Sequence, residues 1–447
     1  MRDTAHVAST AVVGAKKTVA KATEEVFGRI PDDLDVPLLP MTRWQMLRTL
    51  LPASVRILWR VNTNKSKVPA FVAAAPAHCK ELRARIVATT SAADLITLWC
   101  TDVEPFFRQA GLMLEVGARS DSNSLVLFRH RLRKLVGEAD TNALLSGQSE
   151  LESLGLLVGL ERLERGEIDR ATFAQQYGHR GPHEFEVSLP RSGEDPHWID
   201  EQLAGLREAP VDVTTLLARQ KAVHDAAWER FQKRFPRKAE SMRRKLDKAS
   251  VVFHLREKAR SEVVRSFWVL RDFVLRAGEF AGLGDDIFYL SIDEILDMLG
   301  GDKTSLGSIL ARRVAYERYS ALPPYPRLIV GHFDPFKWAA DPNRNSNLFD
   351  ARQSLAPGSS KVTGFPGAAG VVEGRARVIA TPEKGDQLQA GEVLVTTMTN
   401  VGWTPLFPRA AAVVTDVGAT MRLHTGDWVR VNGEQGTVEV LRAADAA

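Results

Sequence analysis

The densest group of chemically capable side chains is the turn His179-Arg180-Gly181-Pro182-His183-Glu184. It offers two imidazoles, a guanidinium and a carboxylate. An imidazole can carry a proton, and a guanidinium can clamp an anion in its fork of donors. The plainer role is that Arg180 and Glu184 tie the turn to a neighbouring helix. A zinc site does not follow, because two histidines on one turn lack further ligands at a metal spacing. A second group is Arg256, Glu257 and Arg260. Around it Val252, Leu255, Ala259, Val263, Phe267, Leu270 and Val274 recur at three and four, which predicts a helix over about 252–280 with one apolar stripe. On that wheel Arg256 and Arg260 fall about 40° and about 80° from Val252, at the edge of the stripe. Glu257 faces further out and can pair with Arg260 at i,i+3. A cation at the edge of a buried stripe needs an anionic partner, either a protein carboxylate or a ligand phosphate.

Helices must hold these groups. Residues 1–340 read as a mainly helical substrate-binding-type part, with sparse glycine and apolar residues at helical spacing. The segment Ser149–Glu164 is rich in Leu and Glu, as a half-buried helix should be. Tyr177-Gly178-His179-Arg180-Gly181-Pro182 ends a helix and makes a turn. Ser291-Ile292-Asp293-Glu294 has the spacing of a capping box and starts a helix that stops at Gly300-Gly301. Pro323, Pro324 and Pro326 break the helical texture, and residues 341–362 are polar enough to be a linker. From Thr363 to residue 442 short Val-rich runs separated by glycines predict a small β-rich part. The fold class is therefore α+β and multidomain. The run Trp403-Thr404-Pro405-Leu406-Phe407-Pro408 reads as core of that β-rich part or as an aromatic docked on the helical one.

Composition narrows the function. The chain has 447 residues, 44% hydrophobic and 26% charged, which excludes collagen, a disordered tail and a coiled-coil rod. A net charge of +4 argues against a nucleic-acid clamp. The charge is uneven: residues 219–260 hold 14 Lys or Arg against five acids, a local net of +9. Such a run is a solvated helical face with ion pairs, or a basic surface for a polyanion. Cys79 and Cys100 cannot build a disulfide scaffold, which points to a reducing compartment. Residues 1–20 lack the apolar core of a signal, since Lys16 and Lys17 interrupt it, and no run is long enough to span a bilayer. These features predict a cytoplasmic protein with no membrane partner.

Several motifs resemble one family. The tail Thr399-Asn400-Val401-Gly402-Trp403-Thr404-Pro405-Leu406-Phe407, followed by Ala411 to Ala419, resembles the swivelling phosphohistidine domain of phosphoenolpyruvate-utilising enzymes. Those include phosphoenolpyruvate synthase, pyruvate phosphate dikinase and rifampicin phosphotransferase. Tyr177-Gly178-His179-Arg180-Gly181-Pro182 resembles a motif of the central region in the rifampicin phosphotransferase-like branch, as do Arg256-Glu257-x-x-Arg260 and Asp285-Asp286-Ile287-Phe288-Tyr289-Leu290. The resemblance runs from roughly residue 30 to 442. It implies phosphoryl transfer from ATP, with Mg, through a phosphohistidine to a hydroxyl or to pyruvate. His179, Arg180, Arg256, Glu257 and Arg260 would then line an acceptor and phosphate pocket.

Two departures from the family plan shape the expectation. No ATP-grasp region or glycine-rich phosphate loop is recognisable, so ATP and Mg are expected on a separate ATP-grasp subunit. The swivelling part also looks shortened: Gly418-Ala419 runs into Thr420-Met421-Arg422-Leu423-His424-Thr425-Gly426-Asp427, where the family has its carrier histidine and a helix. His424 matches a later turn rather than the carrier. Losing a helix would bare one sheet face, to be covered by the helical part or a partner. The chain is thus expected to be a partial phosphotransferase, inactive alone, that binds a small-molecule acceptor, or a non-catalytic binder or regulatory relative.

Overall fold

The computed structural model describes residues 43–444 apart from 121, 146–153, 209–212, 324, 327, 342–343, 345–347, 352–360, 364–366, 368–369 and 416–422. The first helices are α1 (Arg43–Asn64), α2 (Val68–Ala88), α3 (Ala92–Leu98), α4 (Glu104–Arg119), α5 (Ser122–Val136), α6 (Glu138–Leu145) and α7 (Gly155–Glu164). Then come α8 (Arg170–Gln176), α9 (Pro196–Glu208), α10 (Val213–Arg234), α11 (Ala239–Ala281), α12 (Ile292–Leu299) and α13 (Ile309–Ser320). After β1 (Leu328–Val330) and α14 (Pro335–Ala340) the chain is strand: β2 (Leu348–Asp350), β3 (Lys361–Thr363), β4 (Val371–Val378), β5 (Val393–Thr396), β6 (Ala412–Thr415), β7 (Trp428–Asn432) and β8 (Thr437–Arg442). The chain is α+β and multidomain, with a large helical part ahead of a small sheet. Among the described residues no helix is long and apolar enough to cross a membrane.

The spine is α11, whose 43 residues extend about 65 Å at 1.5 Å each. It contains the predicted stripe: Ala259, Val263 and Val274 are buried, and Leu255, Phe267 and Leu270 pack beside them. α2 and α4 lie along it and supply Leu82, Ile86 and Val116 to the same core. The opposite side of α11 is buried too. Ser261, Arg265, Trp268 and Arg271, spaced four, three and three apart, face the loop that follows α8. The capping box forms as expected: Ser291 Oγ accepts from Glu294 N, and Glu294 accepts from Ser291 N.

Within the 341–362 stretch, β2 pairs parallel with β1, and Lys361 opens β3, which pairs antiparallel with β8. The main sheet has the order β3-β8-β7-β4-β5-β6. β4, β5 and β6 are parallel, and β5 is buried at all four residues, as a central parallel strand should be. One side of the sheet holds Ala376, Val393, Val395, Val414, Leu423, Val429 and Val438. The other holds Ile379, Leu388 and Leu394 under Trp403 and Leu406. Trp403 is therefore core of this sheet. Register aligns the C-terminal ends of the parallel strands: Val378 lies beside Val395, and Thr396 beside Thr415.

Candidate functional site

Two bare backbones bring the loop between α8 and α9, residues 177–195 and here called the hinge, onto α11. A Cβ at Gly178 would sit 2.6 Å from Gly193 Cα, and one at Gly193 would sit 2.9 Å from the Trp268 ring. Side chains there would force the loop away. Arginines then hold the loop by its carbonyls. Arg271 Nη1 donates to Val187 O and Ser188 O at 2.7 and 2.9 Å. Arg265 Nη1 donates to Gln175 O at 2.8 Å. Arg191 Nη1 donates to His183 O and Glu184 O at 2.8 and 2.9 Å. Carboxylates balance most of the charge: Arg180 Nε bonds Glu184, Arg260 Nη2 reaches the other Glu184 oxygen at 3.1 Å, Arg265 pairs with Glu262, and Arg271 with Glu194.

What the loop leaves over is donor capacity. Among the described residues, His179 Nδ1, Arg180 Nη1 and Nη2, Arg191 Nε and Nη2, Ser192 Oγ and Arg260 Nε are buried without a hydrogen-bond partner. These seven atoms belong to one neighbourhood, since Arg180 and Arg260 share Glu184, and Ser192 Oγ lies against Gly181. Buried polar atoms are rarely orphaned, and a cluster of donors without acceptors calls for an anion or ordered water. Burial lowers the pKa of Arg191, which its carbonyl contacts do not offset with charge. Burial, and then the charge of Arg265, push the pKa of His179 well below the imidazole value, so it is neutral. Both neighbours of its Nε2, Ser261 Oγ at 2.9 Å and Arg265 Nη2 at 3.4 Å, can donate. That assigns the ring proton to Nδ1, one of the orphaned atoms.

The sequence-predicted residues divide. His179, Arg180 and Arg260 meet at the hinge. Arg256 is exposed and Glu257 half-buried, and neither bonds a hinge residue. The expected Glu257–Arg260 pair gives way to Glu184–Arg260, because the buried Glu184 carboxylate outcompetes a solvated one for the same guanidinium. Arg191, Ser192, Glu194, Arg265 and Trp268 were not singled out. The signal for Arg265 and Trp268 was their spacing from Ser261 on the far side of the predicted helix. Arg191 and Ser192 lie in a loop and carry no periodic signal. The hinge carboxylates Glu184, Glu194 and Glu262 are all engaged by arginines, and no group of three metal-ligating side chains gathers among the described residues. The hinge does not fit a magnesium ion.

The sheet docks its strand-end edge here. His183 Nε2 meets Glu383 Oε1 at 2.9 Å, just beyond β4. Asn400 Nδ2, just beyond β5, donates to Pro182 O at 2.6 Å. A Cβ on Gly402 would lie 2.4 Å from Pro182 Cα, so only glycine permits this contact. The Glu383 hydrogen bond raises the His183 pKa, and the same bond holds Glu383 at about 2. β6 ends at Thr415 on this same edge. Thr425 Oγ1 accepts from Val378 N at 3.1 Å, which sets the neighbouring His424 there as well, its side chain 78% exposed. Clefts at the C-terminal ends of parallel strands are where α/β sheets bind ligands.

Comparison with known proteins agrees with the motifs. Residues 131–257 match the rifampicin phosphotransferase fourth domain. The chain is 26% identical over 315 residues to a rifampicin phosphotransferase of Streptomyces sviceus, covering 60% of this chain and 34% of the relative. It is 26% identical over 313 residues to the prodigiosin synthesizing transferase PigC of Serratia marcescens, covering 62% and 34%. An uncharacterized protein of Mycobacterium tuberculosis is 32% identical over 302 residues, covering 60% and 30%. The chain spans about a third of the length of these relatives. These similarities make the chain a relative of the phosphoenolpyruvate-utilising enzymes over part of its length.

Proposed function

We propose that this phosphotransferase relative supplies the acceptor-binding side of an ATP-dependent phosphoryl transfer, with the nucleotide site on a separate ATP-grasp subunit and the phosphohistidine on that partner. One observation carries the reading: the edge of the sheet docks directly over a loop holding seven buried, unpartnered donor atoms. In the transfer the N–P bond of the carrier breaks while an acceptor oxygen bonds phosphorus and loses its proton. Negative charge spreads over the three equatorial oxygens, and preorganised guanidiniums stabilise it. Arg180 and Arg191 are the residues that would do so. His179, neutral and buried, would donate from Nδ1 rather than shuttle charge.

The test mixes this protein with a candidate ATP-grasp partner and labelled ATP, and follows acid-labile phosphate on either chain. Label on the partner that discharges when this protein and an acceptor are added supports the reading; no label on either chain sinks it. A second reading is a binder without turnover. It is favoured by His424 being the one histidine in residues 363–442, on a turn beside Asp427. A stable N–P adduct lost in His424→Gln would make His424 the carrier and remove that second reading.

A further inference from the structure

Beside the hinge, a cleft of about 430 Å³ opens between α2, α8 and α11. Its lining is mostly apolar: Pro76 on α2, Ala171 and Ala174 on α8, and Trp268 with Gly193. An apolar lining that includes one indole makes this slot suited to a compact aromatic body. The slot also has a charge preference. Lys80, Arg83 and Arg265 line it, against one carboxylate, Glu194. Glu194 is spent: its oxygens accept from Trp268 Nε1 at 2.9 Å, Arg271 Nε at 3.1 Å and Arg191 N at 2.7 Å. Arg265 is likewise occupied by Glu262 and the loop carbonyls. Arg83 lies 3.7 Å over the Trp268 ring and uses Nε for Asp272, which leaves its two terminal nitrogens without a partner among the described residues. Lys80, one turn before it, is exposed and has no ion pair among the described residues. Cys79 lies at the cleft but is not a nucleophile, because burial pushes its thiol up to about 12.

We infer that this cleft binds a compact aromatic anion, its ring against the apolar lining of Pro76, Ala171, Ala174 and Trp268 and its charge at Lys80 and Arg83. As an acceptor pocket the cleft rests on the phosphotransferase reading; as a binding site it does not. Arg265 joins the two places, since it lines the cleft and bonds His179.

Titration calorimetry with naphthalene-2-sulfonate, without nucleotide or partner, tests it. One-to-one binding is expected. Lys80→Glu and the neutral probe 2-naphthol should each bind about tenfold more weakly. Ala171→Trp, at an exposed helix position, should fill the slot and abolish binding while the melting curve stays cooperative. Trp59→Gln, on the exposed apolar face of α1, should change nothing. Binding that survives Ala171→Trp, binding lost in Trp59→Gln, or none to the wild type at millimolar probe overturns the assignment. Because no phosphate moves in this experiment, its failure would leave the mixing experiment's outcome untouched, and the reverse also holds.

Discussion

Two basic regions share one helix and behave differently. The run 219–260 carries 14 cations, and apart from Arg260 at its end, which joins the hinge, most of them face water, some in shallow ion pairs such as Lys221–Asp225, Arg243–Asp247 and Arg244–Glu240. The hinge has fewer, but Arg180, Arg191, Arg265 and Arg271 are buried, and Arg180 and Arg191 keep donors with no acceptor. Charge count marks the first region, and desolvation marks the second. A solvated cation has water as its partner and needs nothing more. A buried guanidinium must be answered by protein or ligand, so the sparser region is the one that points to an anion.

The largest effect expected from this contrast is at Arg180. Arg180→Met strips Glu184, itself buried, of its closest partner and leaves only Arg260, whose side chain is 42% exposed. Removing one member of a buried pair costs about 3–5 kcal/mol. Urea unfolding should read that loss directly. Arg180→Met with Glu184→Leu should recover most of it, since the one guanidinium that then loses its carboxylate, Arg260, is partly exposed and can turn to water. A double variant as unstable as the single one would mean that Arg180 acts through packing, and the contrast with the wet region would fail.

Docking of the sheet should follow pH through the pair His183–Glu383. The His183 pKa is raised by this contact, so its contribution is complete below the ordinary imidazole value and is lost as pH rises through the raised one. Glu383, held at about 2, contributes above the ordinary carboxylate range and loses that only as pH falls toward 2. Glu186 and Arg191 also face His183, with opposite signs. Small-angle scattering should therefore show a more compact particle at pH 6 than at pH 9, and His183→Gln should flatten the difference. A pH-independent radius in the wild type would place the docking energy in the Gly402–Pro182 and Asn400 contacts instead.

Local signals were legible and distant ones were not. The capping box at Ser291 and the stripe from Val252 to Val274 each lie within a few turns of one helix, so spacing alone exposes them. The strands of the tail were readable from Val runs between glycines. Arg260 had a carboxylate three residues before it, yet its partner lies 76 positions away. Nothing local encodes that choice, because it depends on Gly178 and Gly193 letting the loop reach α11. The same approach buries Arg191 and Ser192, so the donors that define the site are a product of packing and not of a motif.

The smallest effect belongs to the wet region, and it is the control that makes the contrast quantitative. Arg244 and Glu240 stand 3.6 Å apart, their side chains 74% and 87% exposed. Two long side chains held in one geometry lose rotamer freedom, and water screens their attraction. Arg244→Ala should therefore shift stability by no more than about 0.5 kcal/mol, and less in high salt. Inorganic phosphate should raise the melting temperature of Arg244→Ala as it does the wild type, because the orphaned donors at the hinge are untouched. In Arg191→Met that rise should vanish. If instead Arg244→Ala removed the phosphate effect, the anion would be binding to the solvated face, and the density of charge rather than its burial would be what selects the ligand.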